Sequence, residues 1–217
     1  KTHSTNFDSY CVSFPGGTAG YSQALNDIGL VDIGPMTISV WIYPKSMGGS
    51  SLGTIYQKTN RMILRFSGTN ALQFFVDYAT TNLSLVTVNE FVVLNVWQNI
   101  TVTWAGTGAS ANLHIYRNAV EAGYAPGTSE GTGARVTDST IALRVGNIGS
   151  EQNGFDGLIT NLKIWKRVLV GREIIKDYQD PYAMINNPRR NDMYLWGAAP
   201  APVGAVARYR TLMGVGS

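Results

Sequence analysis

Five glutamates, Glu90, Glu121, Glu130, Glu151 and Glu173, are scattered along a chain of 217 residues, and no stretch has the Glu-x-Asp-x-x-Glu spacing that aims several carboxylates from one strand. Glycosidic bond cleavage needs two carboxylates flanking the scissile bond, so no hydrolytic pair of that kind is offered. Glu151 and Asp156 stand close in sequence, but among Gly and Asn residues that read as a solvated turn. His3, His114 and Cys11 are too few and too far apart for a zinc site. His114 falls on a predicted strand beside Tyr116 and reads as a packed or surface residue. Gly146–Gly149 lacks the Lys and Ser/Thr that follow in a phosphate loop. Counting leaves a Ser/His/Asp triad open, but no nucleophile elbow or similar motif supports one. Hard oxygen donors remain. Asn147, Glu151, Gln152, Asn153 and Asp156 form a candidate ligand loop, and Asp156 and Asn153 with loop carbonyls could hold calcium. The competing reading is that Asn and Gly make the turn and Asp156 caps it. No other cofactor is indicated.

These residues hang on elements of period two. Thr37 to Pro44 alternates Ile38, Val40 and Ile42 against Thr37, Ser39, Trp41 and Tyr43. Ile55–Tyr56, Met62–Phe66, Leu72–Tyr78, Leu83–Val88, Phe91–Val96, Trp97–Trp104 and Leu113–Tyr116 read as further strands. Residues 67–70, Ser-Gly-Thr-Asn, close a hairpin. After a strand near Leu143, the run Leu158 to Arg167 alternates strictly, with Leu158, Thr160, Leu162 and Ile164 on one face and Ile159, Asn161, Lys163 and Trp165 on the other, which predicts one packed and one wet face. Gly171 to Tyr178 carries Ile174, Ile175 and Tyr178 at helical spacing and ends before Asp180-Pro181.

Charge divides the chain. Residues 1–180 hold 13 Lys plus Arg and 13 Asp plus Glu, so the whole net charge of +3 lies in residues 181–217. A neutral body argues against a nucleic-acid-binding sandwich, and no run of about 18 apolar residues is present for a transmembrane helix. Cys11, the single cysteine, reads as a small core residue. The start KTHSTNFDSY, without Met, fits processing or a segment of a longer chain. Residues 181–217 are rich in Pro, Ala and Gly and cannot fold alone. Their Arg189, Arg190, Tyr194, Trp196, Arg208, Tyr209 and Arg210 suit an extended basic and aromatic tail docking on a partner chain. Trp41, Trp97, Trp104 and Trp165 fall within strands, where packing is the default, whereas Tyr124 and Tyr182 are loop candidates for sugar stacking. Asn82 and Asn99 head glycosylation sequons by pattern, Asn99 in mid-strand.

Three segments carry a resemblance. TISVWIYPKS (Thr37–Ser46) resembles the strand FTISFWVKP of laminin-G-like and pentraxin-like domains. VWQNITVTWAG with LHIYRNAVEAG is similar to their W-H-H-V-A-V-T-W-D-G…L-Y-V-N-G pair. LRVGN…GFDGLITNLKIWKRVL with EIIKDYQDP resembles their closing strand and helix. The departures are Asn161 in place of Asp, Ala119 in place of Gly and Asn99 in place of a frequent His, and the first of these weakens transfer of a metal site. The resemblance, over roughly residues 6–180, implies an all-β, two-sheet antiparallel jelly-roll sandwich of concanavalin A-like type with one short C-terminal helix and an extended tail. DPYAMINNPRRNDMYLWGAAP is similar to the ends of lectin-like phage and prophage proteins. The function expected is therefore a non-enzymatic virion component, a capsid decoration, tail or fibre subunit that contacts other subunits through residues 181–217 and binds surface glycans. A secreted carbohydrate-binding module, with or without calcium, is the alternative, and a glycoside hydrolase the weaker one.

Overall fold

The computed structural model describes residues 11–17, 22–24, 28–58, 60–147 and 152–183. The chain divides into two units, Lys1–Tyr178 and Gln179–Ser217. Arg189, Arg190, Tyr194, Trp196, Arg208, Tyr209 and Arg210, on which the tail and virion reading rests, lie outside the described residues, as do His3 and Glu151.

The first unit is built from β1 (Val12–Gly17), β2 (Ser22–Ala24), β3 (Met36–Pro44), β4 (Thr54–Lys58), β5 (Met62–Ser67), β6 (Ala71–Val76), β7 (Leu83–Val86), β8 (Gln98–Trp104), β9 (Leu113–Arg117), β10 (Val120–Glu121), β11 (Leu143–Val145), β12 (Gly154–Trp165) and the helix α1 (Gly171–Gln179). One sheet runs β1–β12–β3–β8–β9–β10 and the other β2–β11–β4–β5–β6–β7, antiparallel throughout. A single parallel bridge between Gly154 and Thr54 joins them into one curled ladder. This is the expected two-sheet sandwich.

Alternate positions of both sheets meet in one core. Ile38, Val40 and Ile42 of β3 and Ile100 and Val102 of β8 belong to the same buried cluster as Leu64 and Phe66 of β5 and Leu72, Phe74 and Val76 of β6. Each such side chain contributes about 1.5–3 kcal/mol by leaving water. Cys11, at the start of the described chain, is half-buried rather than a core residue.

Three expectations are corrected. Strict alternation along β12 fails at Asn161, whose φ is 51°. Thr160 pairs with Trp41 but Lys163 with Ser39, so one extra residue stands on β12. That bulge puts Ile159, opposite Ile42, and Ile164, opposite Ile38, on the same core-facing side. Asn tolerates the left-handed conformation that the bulge needs, which accounts for Asn161 by backbone geometry alone. Second, Phe91–Val96 is no strand. Gln98 takes the place of a neighbouring strand, its amide donating to the carbonyls of Val93 (2.6 Å) and Val96 (3.2 Å) and accepting from Val93 N (3.3 Å). Glu90 and Asn95, with φ near 60°, bend the segment out of any ladder. Third, α1 turns Ile174, Asp177 and Tyr178 toward the sheet and leaves Ile175 46% exposed.

Helix α1 begins with half of a capping box. Glu173 accepts from the backbone N–H of Val170 (3.0 Å) and takes both guanidinium nitrogens of Arg167 at 2.7 Å. The Arg167 fork and that backbone donor hold the Glu173 carboxyl down at about 2. A depressed carboxyl stabilises the folded state above its unfolded value near 4.5 and loses that contribution as pH falls toward about 2. The start of α1 is therefore expected to loosen between those values, read as a change in Trp41 fluorescence, because Trp41 stacks on Tyr178 of this helix at 5.7 Å. Glu173→Gln should remove that phase of the acid titration; an unchanged titration would refute the assignment.

Candidate binding face

The polar alternates of β3 do not face water. On the outer side of the first sheet, Thr37 and Ser39 are fully buried and Trp41 is 6% exposed, because α1 and its approach lie over them. Ser39 donates to Asp177 (2.7 Å), and Lys163 also pairs with Asp177. The Asn99 amide donates to Ser39 Oγ (2.9 Å) and accepts from Thr101 (2.9 Å). Thr37 donates to the Arg167 carbonyl and accepts from Leu169 N, both at 2.9 Å. The polar groups of β3 and β8 beneath α1 are thus bonded to the helix, its approach or one another, and Asn99, with no exposure, is not a glycosylation acceptor.

The outer side of the second sheet is different. On β5, Leu64 and Phe66 enter the core, so Ile63 and Arg65 point outward; on β6, Leu72, Phe74 and Val76 enter it and Gln73 and Phe75 point outward; on β7, Ser84 and Val86 do. Pairing sets these side chains in rows. Arg65 lies opposite Gln73 and Gln73 opposite Val86, while Ile63 lies opposite Phe75 and Phe75 opposite Ser84. Toward β2 the second row continues through Gln57, which is buried like its neighbour Ile63, and then through half-buried Arg144 and exposed Gln23.

Hydrogen bonds fix the polar members. Arg65 Nε donates to Gln73 Oε1 (2.9 Å), Gln73 Nε2 donates to Ser84 Oγ (2.8 Å), and Arg144 Nε donates to Gln23 Oε1 (2.9 Å). A relay of this kind restrains planar side chains whose remaining donors and acceptors point away from the sheet. Phe75, half-buried, sets an apolar ring beside it. No carboxylate occupies these described strand positions. Partial burial draws the Arg65 guanidinium below its ordinary value without approaching neutrality. The arrangement can present oriented hydrogen-bond donors next to an apolar surface. It cannot act as a carboxylate acid/base pair.

The described part of the Asn147–Asp156 loop, Asn147 and residues 152–156, joins the two sheets. Asn147 is fully buried, Asn153 is 9% exposed, and Gln152 is exposed. The Asn153 carbonyl accepts from Thr54 N (2.9 Å), and Asp156 accepts from Ser46 Oγ (2.7 Å). Glycines let the strands close here: a Cβ on Gly48 would lie 2.3 Å from the Gly154 carbonyl oxygen. Calcium takes about 6–8 oxygens, commonly with several carboxylates. The described donors offer the single Asp156 carboxylate, already bonded to Ser46, and no group of three His, Cys, Asp or Glu clusters among the described residues. These described donors alone do not make up a calcium shell, and Glu151 of the candidate loop lies outside the described residues.

Elsewhere, His114 Nδ1 lies 2.6 Å from Glu121, and the Tyr124 hydroxyl accepts from Ile115 N (3.0 Å) and donates to Glu121 (3.0 Å), which holds this loop tyrosine in place. Tyr182 is half-buried in the turn after α1. Trp104 is buried and donates to the Thr107 carbonyl (2.8 Å), while Trp97 leans on Tyr43 at 5.7 Å and Trp165 lies under Lys163 at 5.7 Å. Gly49–Gly53, Gly-Ser-Ser-Leu-Gly, has the spacing of a nucleophile elbow, yet it forms a short 3-10 turn that leads into β4 rather than a helix. Where Asn161 lifts β12, an open cleft of about 220 Å³ lies between Val12, Val145, Thr160 and Leu162. The open face itself went unread in the sequence. Its signal was present as the alternation of Arg65, Gln73, Phe75 and Ser84 against core residues.

Comparison with curated proteins finds no match. Among solved structures, a heptameric SAP-like pentraxin from Limulus polyphemus is 16% identical with a TM-score of 0.52, over 77% of this chain and 81% of that one. The CBM40 of the Ruminococcus gnavus IT-sialidase is 12% identical with a TM-score of 0.55, over 77% of this chain and 95% of that one. The binding domain of Paraclostridial Mosquitocidal Protein 1 is 14% identical with a TM-score of 0.50, and the match spans 79% of this chain but only 46% of that one. At such identities these likenesses speak for the fold. A family model described as the concanavalin A-like lectin/glucanases superfamily matches residues 16–175, most of the chain. The strand order, the helix on one outer face and this match agree, and the chain belongs to the concanavalin A-like lectin/glucanases superfamily.

Proposed function

We propose that this domain is a non-catalytic glycan-binding module and that the outer face of β5, β6 and β7 is its binding surface. The observation that carries this reading is the half-buried Arg65–Gln73–Ser84 relay beside Phe75 on the outer face of the second sheet, away from the contacts of α1 with Ser39 and Trp41. Sugars offer hydroxyl groups that accept and donate around an apolar ring face. Oriented polar side chains next to an aromatic ring match both features at little ordering cost. Membership of a lectin-like superfamily supports the reading, and so does the fold shared with a sialidase's carbohydrate-binding module. The lack of carboxylates on the described strand positions of the face supports a binding rather than a hydrolytic role. The virion reading rests on the tail, outside the described residues, so the described body favours the glycan-binding one.

A glycan array probed with the full chain tests it. Binding to a restricted set of glycans is expected, reduced at least about tenfold by Phe75→Ala or Gln73→Ala, while the thermal midpoint stays well above assay temperature. A flat array at high protein concentration would refute the function. Full binding by both variants would refute the face.

A further inference from the structure

Several buried and half-buried cations among the described residues meet carboxylates: Lys58 and Arg135 meet Asp138, Arg61 meets Asp77, and Lys163 meets Asp177; half-buried Arg117 instead donates to the Phe91 carbonyl and lies over that ring. Arg65 meets no carboxylate. Its Nε donates to the neutral Gln73 amide, and among the described residues no carboxylate pairs with it. It stands in mid-sheet between β4 and β6, flanked in sequence by the core residues Leu64 and Phe66, and is half-buried. A cation partly removed from water and bonded only to a neutral acceptor gains more from an incoming anion than an exposed one does. Gln73 occupies Nε, so the terminal nitrogens of the guanidinium are the donors left for a ligand, and they match the two oxygens of a planar acid group. Arg144 adds a second guanidinium on the same face. Strand spacing puts the two Cα atoms roughly 12 Å apart.

Resting on the glycan-binding reading, we infer that the sugar this face selects is acidic, its carboxylate or sulfate held by Arg65. The nearby ring of Phe75 then takes the apolar side of the same or an adjoining residue. Such a face discriminates by charge as well as by shape. A neutral sugar leaves the guanidinium without its anion, whereas an acidic sugar supplies charge-assisted hydrogen bonds.

Calorimetric titration of the full chain with four probes tests the inference: tetragalacturonate, a sulfated heparin-derived tetrasaccharide, cellotetraose and maltotetraose. One of the two anionic probes is expected to bind at least about tenfold more tightly than either neutral one, and which of them does so separates carboxylate from sulfate as the source of the charge. That affinity should fall as sodium chloride rises from 0.05 to 0.5 M. Arg65→Gln should remove the tenfold preference, and Arg65→Lys, which keeps the charge but not the fork, should remove part of it and guards against a misfolded Gln variant. If neutral and anionic probes bind alike and both variants leave them unchanged, the acidic-sugar inference is overturned while the glycan-binding reading stands. If none of the four binds and the array is flat as well, the glycan-binding reading fails and takes the inference with it.

Discussion

Asp138→Ala is expected to destabilise the domain by about 3–5 kcal/mol, because it strands a buried lysine. Lys58 and Asp138 meet at 2.7 Å with side-chain exposures of 3% and 1%. The same carboxylate takes Arg135 at 2.8 Å and the backbone N–H of Asp32 at 2.8 Å, while Lys58 also donates to the Leu30 carbonyl. Asp32 returns the contact by accepting from Asp138 N (2.8 Å) and Thr137 Oγ1 (2.7 Å). Arg135 in turn lies over Trp104 at 5.1 Å. One side chain thus ties together β4, the segment before β3 and the loop before β11. Removing it leaves an ammonium that water cannot reach and a backbone N–H with no acceptor. Urea unfolding should show the loss as a lower midpoint with an unchanged slope. Asp138→Asn, which keeps acceptors but not charge, should fall in between, and the double change Lys58→Met with Asp138→Leu should recover much of the stability. A cost below about 1 kcal/mol for Asp138→Ala would contradict the buried-pair account.

Gly157→Ala is expected to cost roughly 3–5 kcal/mol, from overpacking and backbone strain together. Gly157 stands in the middle of β12, with Phe14 of β1 on one side and Pro44 of β3 on the other. Its φ is 144°, and a Cβ there would lie 2.1 Å from the Tyr43 carbonyl oxygen and 3.0 Å from Pro44 Cα. Both contacts are backbone in a central strand, so neither can swing aside as a flexible side chain would. The strand must part from β3, the pairing that carries the helix-bearing face of the sandwich. Gly171→Ala is the matched control, since nothing lies within 4 Å of a Cβ placed there. The two changes compared by thermal unfolding should differ by well over ten degrees if the clash operates. Equal midpoints would show that β12 has room that its geometry denies.

Sequence and structure divide the information unevenly. Alternation placed β3, β5, β6 and β8 within a residue or two, because each has one face in a common core and a period of two is the direct mark of that arrangement. Helix α1 was legible from Ile174, Tyr178 and the Asp180-Pro181 stop. Phe91–Val96 misled, since a β-rich composition says nothing about Gln98 satisfying that segment's backbone from its side chain. Of the Asn147–Asp156 loop, Asn147 and residues 152–156 are described. Asn, Gly and Asp serve turns and metals equally well, and only the contacts of Ser46 with Asp156 and of Thr54 with Asn153 show them serving the turn.

What the sequence determined by itself is the class of fold and the location of its strands, because hydrophobic alternation is a local record of burial. Which polar alternates were spent and which stayed available was decided in three dimensions. Ser39, Trp41 and Asn99 look as free in sequence as Arg65, Gln73 and Ser84, for each is a polar or amphipathic residue between core residues. Helix α1, about 130 residues further along the chain than Ser39, covers the first group through Asp177 and Tyr178, whereas the second group stays half-buried on the other sheet. Strand periodicity specifies that a side chain points outward. Only tertiary packing specifies whether water, a helix or a ligand meets it there.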